Sequence, residues 1–200
     1  MVISWLGHAG IKLQVKDTIL IIDPPQEPGK GRRLSAHIVA LSVKVGRDTG
    51  ISGDPFIIDG PGEYERQNVF VYGVSLASDL EHIHWRVEAE DLSLGHLGFL
   101  AHKLENGELA QLEGVDILFV PVGGHGVLNG EQAAELISQI EPRIVIPIQY
   151  KSDSGKSEFE TAEKFLKEMG TKSAEQVDKF RVTKKDLPAE ETQVVVLSPS

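Results

Sequence analysis

Residues 116–150 read DILFVPVGGHGVLNGEQAAELISQIEPRIVIPIQY, and this stretch decides the fold. Residues 117–122 form a short apolar run, the pattern of a strand buried on both faces. Gly123-Gly124 then turns the chain. Asn129 is placed to cap a helix, with Gln132 three residues on as its box partner. Ala133, Leu136, Ile137 and Ile140 share one helical face, and Pro142 stops the helix. Residues 143–148 make a second buried strand. A strand–loop–helix–strand unit predicts a layered α/β domain. In such units chemistry sits in loops past the strand ends, and here those loops carry His125 and Gln149.

Towards the N-terminus, residues 2–6 and 11–15 read as strands around the turn Gly7-His8-Ala9-Gly10. A third strand, 18–22, ends at Asp23-Pro24, and residues 24–33 (PPQEPGKGRR) read as an exposed loop. A fourth strand, 37–41, runs into Ser42 and the loop up to Gly50. Strands follow at 56–59 and 69–74, then a hairpin of 83–89 and 92–94. Residues 96–102 (HLGFLAH) read as a loop. Beyond the central unit, residues 157–169 have helical periodicity, with Ser157 and Glu160 as a capping box and Gly170 as the stop. Late strands are expected at 180–183 and 193–197. The whole chain, 1–200, reads as a single domain with helices only in its second half.

The chain has 200 residues and a net charge of −10. That balance argues against nucleic acid or an anionic membrane as the main partner. There is no cysteine, so thiolate metal ligands, disulfides and a cysteine nucleophile are excluded. The start, MVISWLGHAG, has no charged n-region or long apolar stretch, and no run approaches the ~18 apolar residues of a membrane span. A soluble, cytoplasmic protein is the expectation.

Six segments stand in a particular order: ISWLGHAG (3–10), ILIIDP (19–24), GPGEYE (60–65), HLGFLAH (96–102), DILFVPVGG (116–124) and EPRIVIPIQY (141–150). Together they resemble the metallo-β-lactamase superfamily, in particular its branch of small bacterial zinc-dependent hydrolases similar to L-ascorbate-6-phosphate lactonase. The resemblance implies an αββα sandwich of two mainly antiparallel sheets with a metal site at one edge. It also implies a His-x-His-x-Asp-His loop after the fourth strand, whose residues hold two zinc ions and polarise a bridging water. At the matching positions this chain has Val43, Val45, Arg47 and Asp48. Where the family has a bridging aspartate it has Phe99, and where the family has a late histidine it has Gln149. Valine and phenylalanine offer no lone pair, and Arg47 brings a fixed positive charge.

The expectation is therefore a metallo-β-lactamase-fold protein without its metal site, a pseudoenzyme with no cofactor, that binds a small anionic ligand or a protein partner, with a homo-oligomer also allowed. Candidate pocket residues are His8, Asp23, Arg47, Asp48, Tyr64, His96, His102, His125 and Gln149. His8 and Asp23 are expected to hydrogen-bond to each other. The alternative is a metal-dependent hydrolase of lactonase or phosphodiesterase type, with zinc or manganese held by relocated ligands drawn from His8, Asp48, His96, His102 and His125. His82 and His84, two apart, read as an exposed strand face. Ser42 lacks the Gly-x-Ser-x-Gly context of a nucleophile, and Gly123-Gly124 lacks the Lys-Ser/Thr of a phosphate loop.

Overall fold

The computed structural model describes residues 1–25, 34–43, 50–152, 158–171 and 176–200. In chain order the early strands are β1 (Val2–Gly7), β2 (Gly10–Val15), β3 (Thr18–Ile22), β4 (Leu34–Ser35), β5 (Ile38–Ala40), β6 (Ile51–Ser52) and β7 (Phe56–Ile58). Next come β8 (Gly62–Arg66), β9 (Val69–Leu76), β10 (Asp79–Ala89) and β11 (Leu92–His96). The second half holds α1 (Asn106–Leu109), β12 (Ile117–Pro121), α2 (Gly130–Ile140), β13 (Ile144–Ile148) and α3 (Glu163–Glu168). Four short strands close the chain: β14 (Gln176–Val177), β15 (Phe180–Arg181), β16 (Gln193–Val194) and β17 (Val196–Leu197).

Two sheets dominate, ordered β15-β1-β2-β3-β5-β7 and β16-β13-β12-β11-β10-β9-β8. Both are mixed, which corrects the expectation of mainly antiparallel sheets. In the first, β15, β1, β2 and β3 pair antiparallel, while β3, β5 and β7 run parallel. In the second, β8 to β11 form an antiparallel meander, and β11, β12, β13 and β16 run parallel. Parallel pairing follows from the crossovers: β12 reaches β13 only through α2. One contiguous cluster of buried side chains joins the sheets, from Ile3, Trp5, Ile11 and Leu20 on one to Trp85, Leu94, Phe119 and Ile146 on the other.

The central unit forms as its sequence dictates. Every residue of β12 and β13 is buried, as strands flanked on both sides must be. The side chain of Asn129 accepts from the Gln132 amide, and Gln132 returns the bond to the Asn129 amide. Ala133, Leu136 and Ile137 face the core. The second predicted helix is shorter than its periodicity implied, with only Glu163–Glu168 helical. Ser157 lies outside the described residues. Before α3 the backbone bonds elsewhere: the Glu160 amide donates to Gly123 O at 2.8 Å, and the Lys151 amide donates to Glu160 O at 2.8 Å. Those tertiary bonds compete with, and defeat, the local helical turn. Pairing β9 with an edge strand (β8) and extending β10 back to Asp79 are further features that periodicity alone did not show.

Asn129→Ala removes the side-chain acceptor of the α2 cap while leaving the helix face intact. It is expected to cost about 1 kcal/mol of stability, measured by chemical denaturation.

Candidate functional site

The loops at the ends of β1, β3, β5 and β11 meet the turn after β13 at one edge of the two sheets. The contact is made through hydrogen bonds that cross from sheet to sheet. Asp23 follows β3 in the left-handed conformation, φ 47°. Its carboxylate accepts from the Ser42 amide and the Ser42 hydroxyl, both at 2.7 Å. Ser42 Oγ in turn accepts from Trp85 Nε1 on β10 at 2.9 Å. The Ile83 amide donates to Ser42 O at 2.8 Å. His96, at the end of β11, uses Nε2 to reach Ala9 O at 2.8 Å. The Gln149 amide donates to His8 O at 3.1 Å.

Electrostatics at this edge follow from burial. Asp23, whose side chain is 8% exposed, has its carboxyl pushed up to about 7 by desolvation, against the two Ser42 hydrogen bonds that favour the ionised form. Burial takes His96 down to about 4, so it is neutral at pH 7. Since Nε2–H donates to Ala9, its Nδ1 carries the lone pair; this atom is buried without a hydrogen-bond partner and lies 3.9 Å from Asp23 Oδ2.

A second cluster lies on β10. The pairing with β9 shifts register between Asp79 and His84, and the looped-out residues bring three polar side chains together. His82 Nδ1 sits 2.8 and 2.9 Å from the two oxygens of Asp79, and His84 Nε2 is 3.3 Å from Oδ2. Burial raises the Asp79 carboxyl, but the His82 hydrogen bond and the His82 and His84 charges outweigh it and hold Asp79 below the ordinary carboxylate range. His84 is 1% exposed and is driven down to about 4 by desolvation. The His82 ring stacks on Phe99, with centroids 5.3 Å apart and planes 6° from parallel.

Several expectations are corrected by this arrangement. His82 and His84 do not form an exposed strand face: His84 is buried and His82 half-buried, because the register shift turns them inward. Asp23 pairs with Ser42 rather than with His8. The His8 residue is exposed, and its ring lies against Phe159. His125 is exposed on the loop before α2. Tyr64 belongs to the β7–β8 edge, where its hydroxyl donates to Gly60 O at 3.1 Å and its ring meets Phe56. Ser42 is 2% exposed with its hydroxyl committed to Asp23, so it has no access to substrate. His102 Nε2 is buried without a hydrogen-bond partner. Gln149 is 3% exposed, and its side-chain amide donates to Gly98 O at 2.5 Å. Val45, Arg47 and Asp48 lie outside the described residues.

The donor set can be tested against the two metal ions that the resemblance implies. Of the matching positions that the structure describes, Val43 and Phe99 have no donor atom, and the Gln149 side-chain nitrogen donates to Gly98 O. His96 donates Nε2–H to Ala9 O and keeps the lone pair on Nδ1. Among the described residues no group of three or more histidine, aspartate or glutamate side chains is arranged to hold a metal ion. The described residues do not by themselves supply the donors of a dinuclear group.

The raised Asp23 carboxyl has a consequence for stability. A folded-state value near 7, against an unfolded value near 3.8, means the buried acid costs nothing below pH 4 and progressively more as pH rises towards 7. Asp23→Asn keeps the shape and removes the charge. Its stability relative to the parent is expected to improve between pH 5 and pH 8 by about 2 kcal/mol, read from denaturation midpoints at the two pH values. A constant difference would mean that Asp23 does not titrate in this range.

Comparison with known proteins places the chain. The family model described as a beta-lactamase superfamily domain matches residues 2–149. A UPF0173 metal-dependent hydrolase of Lysinibacillus sphaericus is 26% identical over 195 residues, covering 76% of this chain and 86% of that one. A UPF0173 metal-dependent hydrolase of Staphylothermus marinus is 30% identical over 66 residues, which is 33% of this chain and only 29% of the relative. A crystal structure from Thermotoga maritima, named as a candidate zinc-dependent hydrolase of the metallo-beta-lactamase superfamily, superposes with a TM-score of 0.84 at 28% identity, covering 99% of this chain and 100% of that one. With three-quarters of the chain inside the family model and two mixed sheets around one core, this protein belongs to the beta-lactamase superfamily and has the metallo-β-lactamase fold.

Proposed function

We propose that this chain is a non-hydrolytic member of its superfamily, which keeps the fold and its edge site as a binding module for a small anionic ligand or a protein partner. The observation that supports this most directly is the donor set. Val43, Phe99 and Gln149 occupy three positions where the resemblance calls for two imidazoles and a carboxylate, and the Gln149 amide is already hydrogen-bonded to Gly98. A hydrolase of this fold works through a metal-bound hydroxide, made nucleophilic at neutral pH because the cation lowers the water's pKa to about 7. Without donors for the cation, general-base action by one histidine would contribute about 10²–10⁴-fold, well short of the ~10⁶-fold or more of an enzyme. An anionic ligand is favoured by Arg47 at a donor position in the sequence, since a guanidinium pairs bidentately with carboxylate or phosphate. Among the described residues no helix is long and apolar enough to cross a membrane, and the site reading assumes a cytoplasmic protein.

The second reading is a metal-dependent hydrolase of lactonase or phosphodiesterase type, with zinc or manganese on relocated ligands. The relatives' names favour it, and taken alone the comparisons support it better than they support a binding module. The donor set among the described residues is what supports the first.

Purified protein, loaded with zinc or manganese, is expected to hydrolyse neither lactones nor phosphodiesters above the uncatalysed rate. Turnover that disappears on chelation and returns with metal would establish the hydrolase reading instead.

A further inference from the structure

We infer that at this edge the 98–99 loop is held to its own sheet by a metal-free clasp made by Asp79, His82, Phe99 and Gln149, and that the Gln149 backbone amide carries the link to the first sheet through His8 O. The inference rests on the binding-module reading and goes beyond it, because it says what holds the edge together. The resemblance would put a metal-bridging aspartate at position 99. Here Phe99 stands at that position. Its ring is met face to face by His82, 5.3 Å away and 6° from parallel. His82 cannot turn away, because Asp79 takes its Nδ1–H at 2.8 Å and its backbone amide at 3.2 Å.

The same loop is held from the opposite side. The Gln149 amide donates to Gly98 O, next to Phe99, while the Gln149 backbone amide is bonded to His8 O. Gln149 adopts φ 51°, and this left-handed turn after β13 is held by both bonds. So the 98–99 loop is fixed by an aromatic stack to β10 and by an amide bond to the end of β13. The adjoining hairpin is anchored as well: the Ser78 amide and hydroxyl both donate to Glu108 Oε1, at 2.9 and 2.5 Å. A glycine is needed at position 98, since a Cβ there would press on the His96 ring and on Ala9.

The clasp predicts that the full chain keeps its stability without metal. Thermal melts of the purified protein in excess EDTA, and with added zinc, are expected to share one midpoint. His82→Ala and Asp79→Ala are each expected to lower it by about 3–10 °C, and the double variant by little more than the larger single loss, because the pair acts as a unit. Phe99→Leu keeps apolar bulk and removes the ring stack. It serves if the other variants fail to fold, with faster hydrogen exchange of the 98–100 amides as its expected readout. A midpoint that falls in EDTA, or that zinc raises in the parent but not in His82→Ala, would overturn the clasp. So would additive losses in the double variant, or unchanged exchange in Phe99→Leu. These outcomes separate from the binding-module reading, which fails only if metal-dependent hydrolysis appears.

Discussion

The hydrogen bonds from Asp23 to Ser42 and from Ser42 to Trp85 are the constraint on which the rest of the edge depends. Each polar group in the chain is satisfied by the next: carboxylate by hydroxyl, hydroxyl by indole. Asp23 and Ser42 come from the first sheet and Trp85 from the second. The relay therefore fixes how far apart the two sheets sit at this edge, where apolar packing alone would allow sliding. Deleting the Ser42 hydroxyl would orphan Asp23 Oδ2 and a buried indole N–H, while Asp23 Oδ1 keeps the Ser42 amide, and each orphan costs about 1–3 kcal/mol. His96 repeats the logic one strand over, with its ring spanning to Ala9 O. The Asp23–Ser42–Trp85 relay specifies a geometry because each member is paired, whereas His96 keeps Nδ1 without a hydrogen-bond partner.

Backbone conformation points to the same edge. His8, Asp23, His125 and Gln149 all hold positive φ, between 47° and 51°, without being glycine. Each stands just beyond a strand or in the loop before α2. A left-handed residue with a Cβ costs roughly 1–2 kcal/mol, so the surrounding contacts must compensate. At Asp23 the Ser42 bonds do so, and at Gln149 the bonds to Gly98 and His8 do.

The sequence was legible where local chemistry and tertiary packing agree. The unit β12–α2–β13 is readable because its strands are continuous apolar runs and its cap is a local box. The order of six segments likewise carried the fold. What could not be read was set by contacts between distant positions. Asp23 and Ser42 are nineteen residues apart in sequence, and Ser42 and Trp85 forty-three, so no periodicity announces them. The inward turn of His82 and His84 depends on a register shift that alternation cannot reveal. α3 lost its first turns to backbone bonds with Gly123 and Lys151, partners that lie outside its own helix. Val45, Arg47 and Asp48 were assigned by resemblance, and the described residues do not include them.

The donor positions also depend on one another. An aspartate introduced at position 99 would stand where Phe99 now stacks on His82, beside a carboxylate already held ionised by that histidine. Two carboxylates around one neutral imidazole repel each other, so the ring or one carboxyl must take up a proton, or the loop must shift. A histidine at position 149 would forfeit the amide bond to Gly98 and leave that carbonyl without its side-chain donor. Restoring either ligand alone therefore removes a contact without completing a metal site, since three or four donors are needed before a cation returns any binding energy. Phe99 and Gln149 act on one loop, since Gln149 bonds Gly98 O while the Phe99 ring stacks on His82, and that shared loop is a physical reason for reading them as one device.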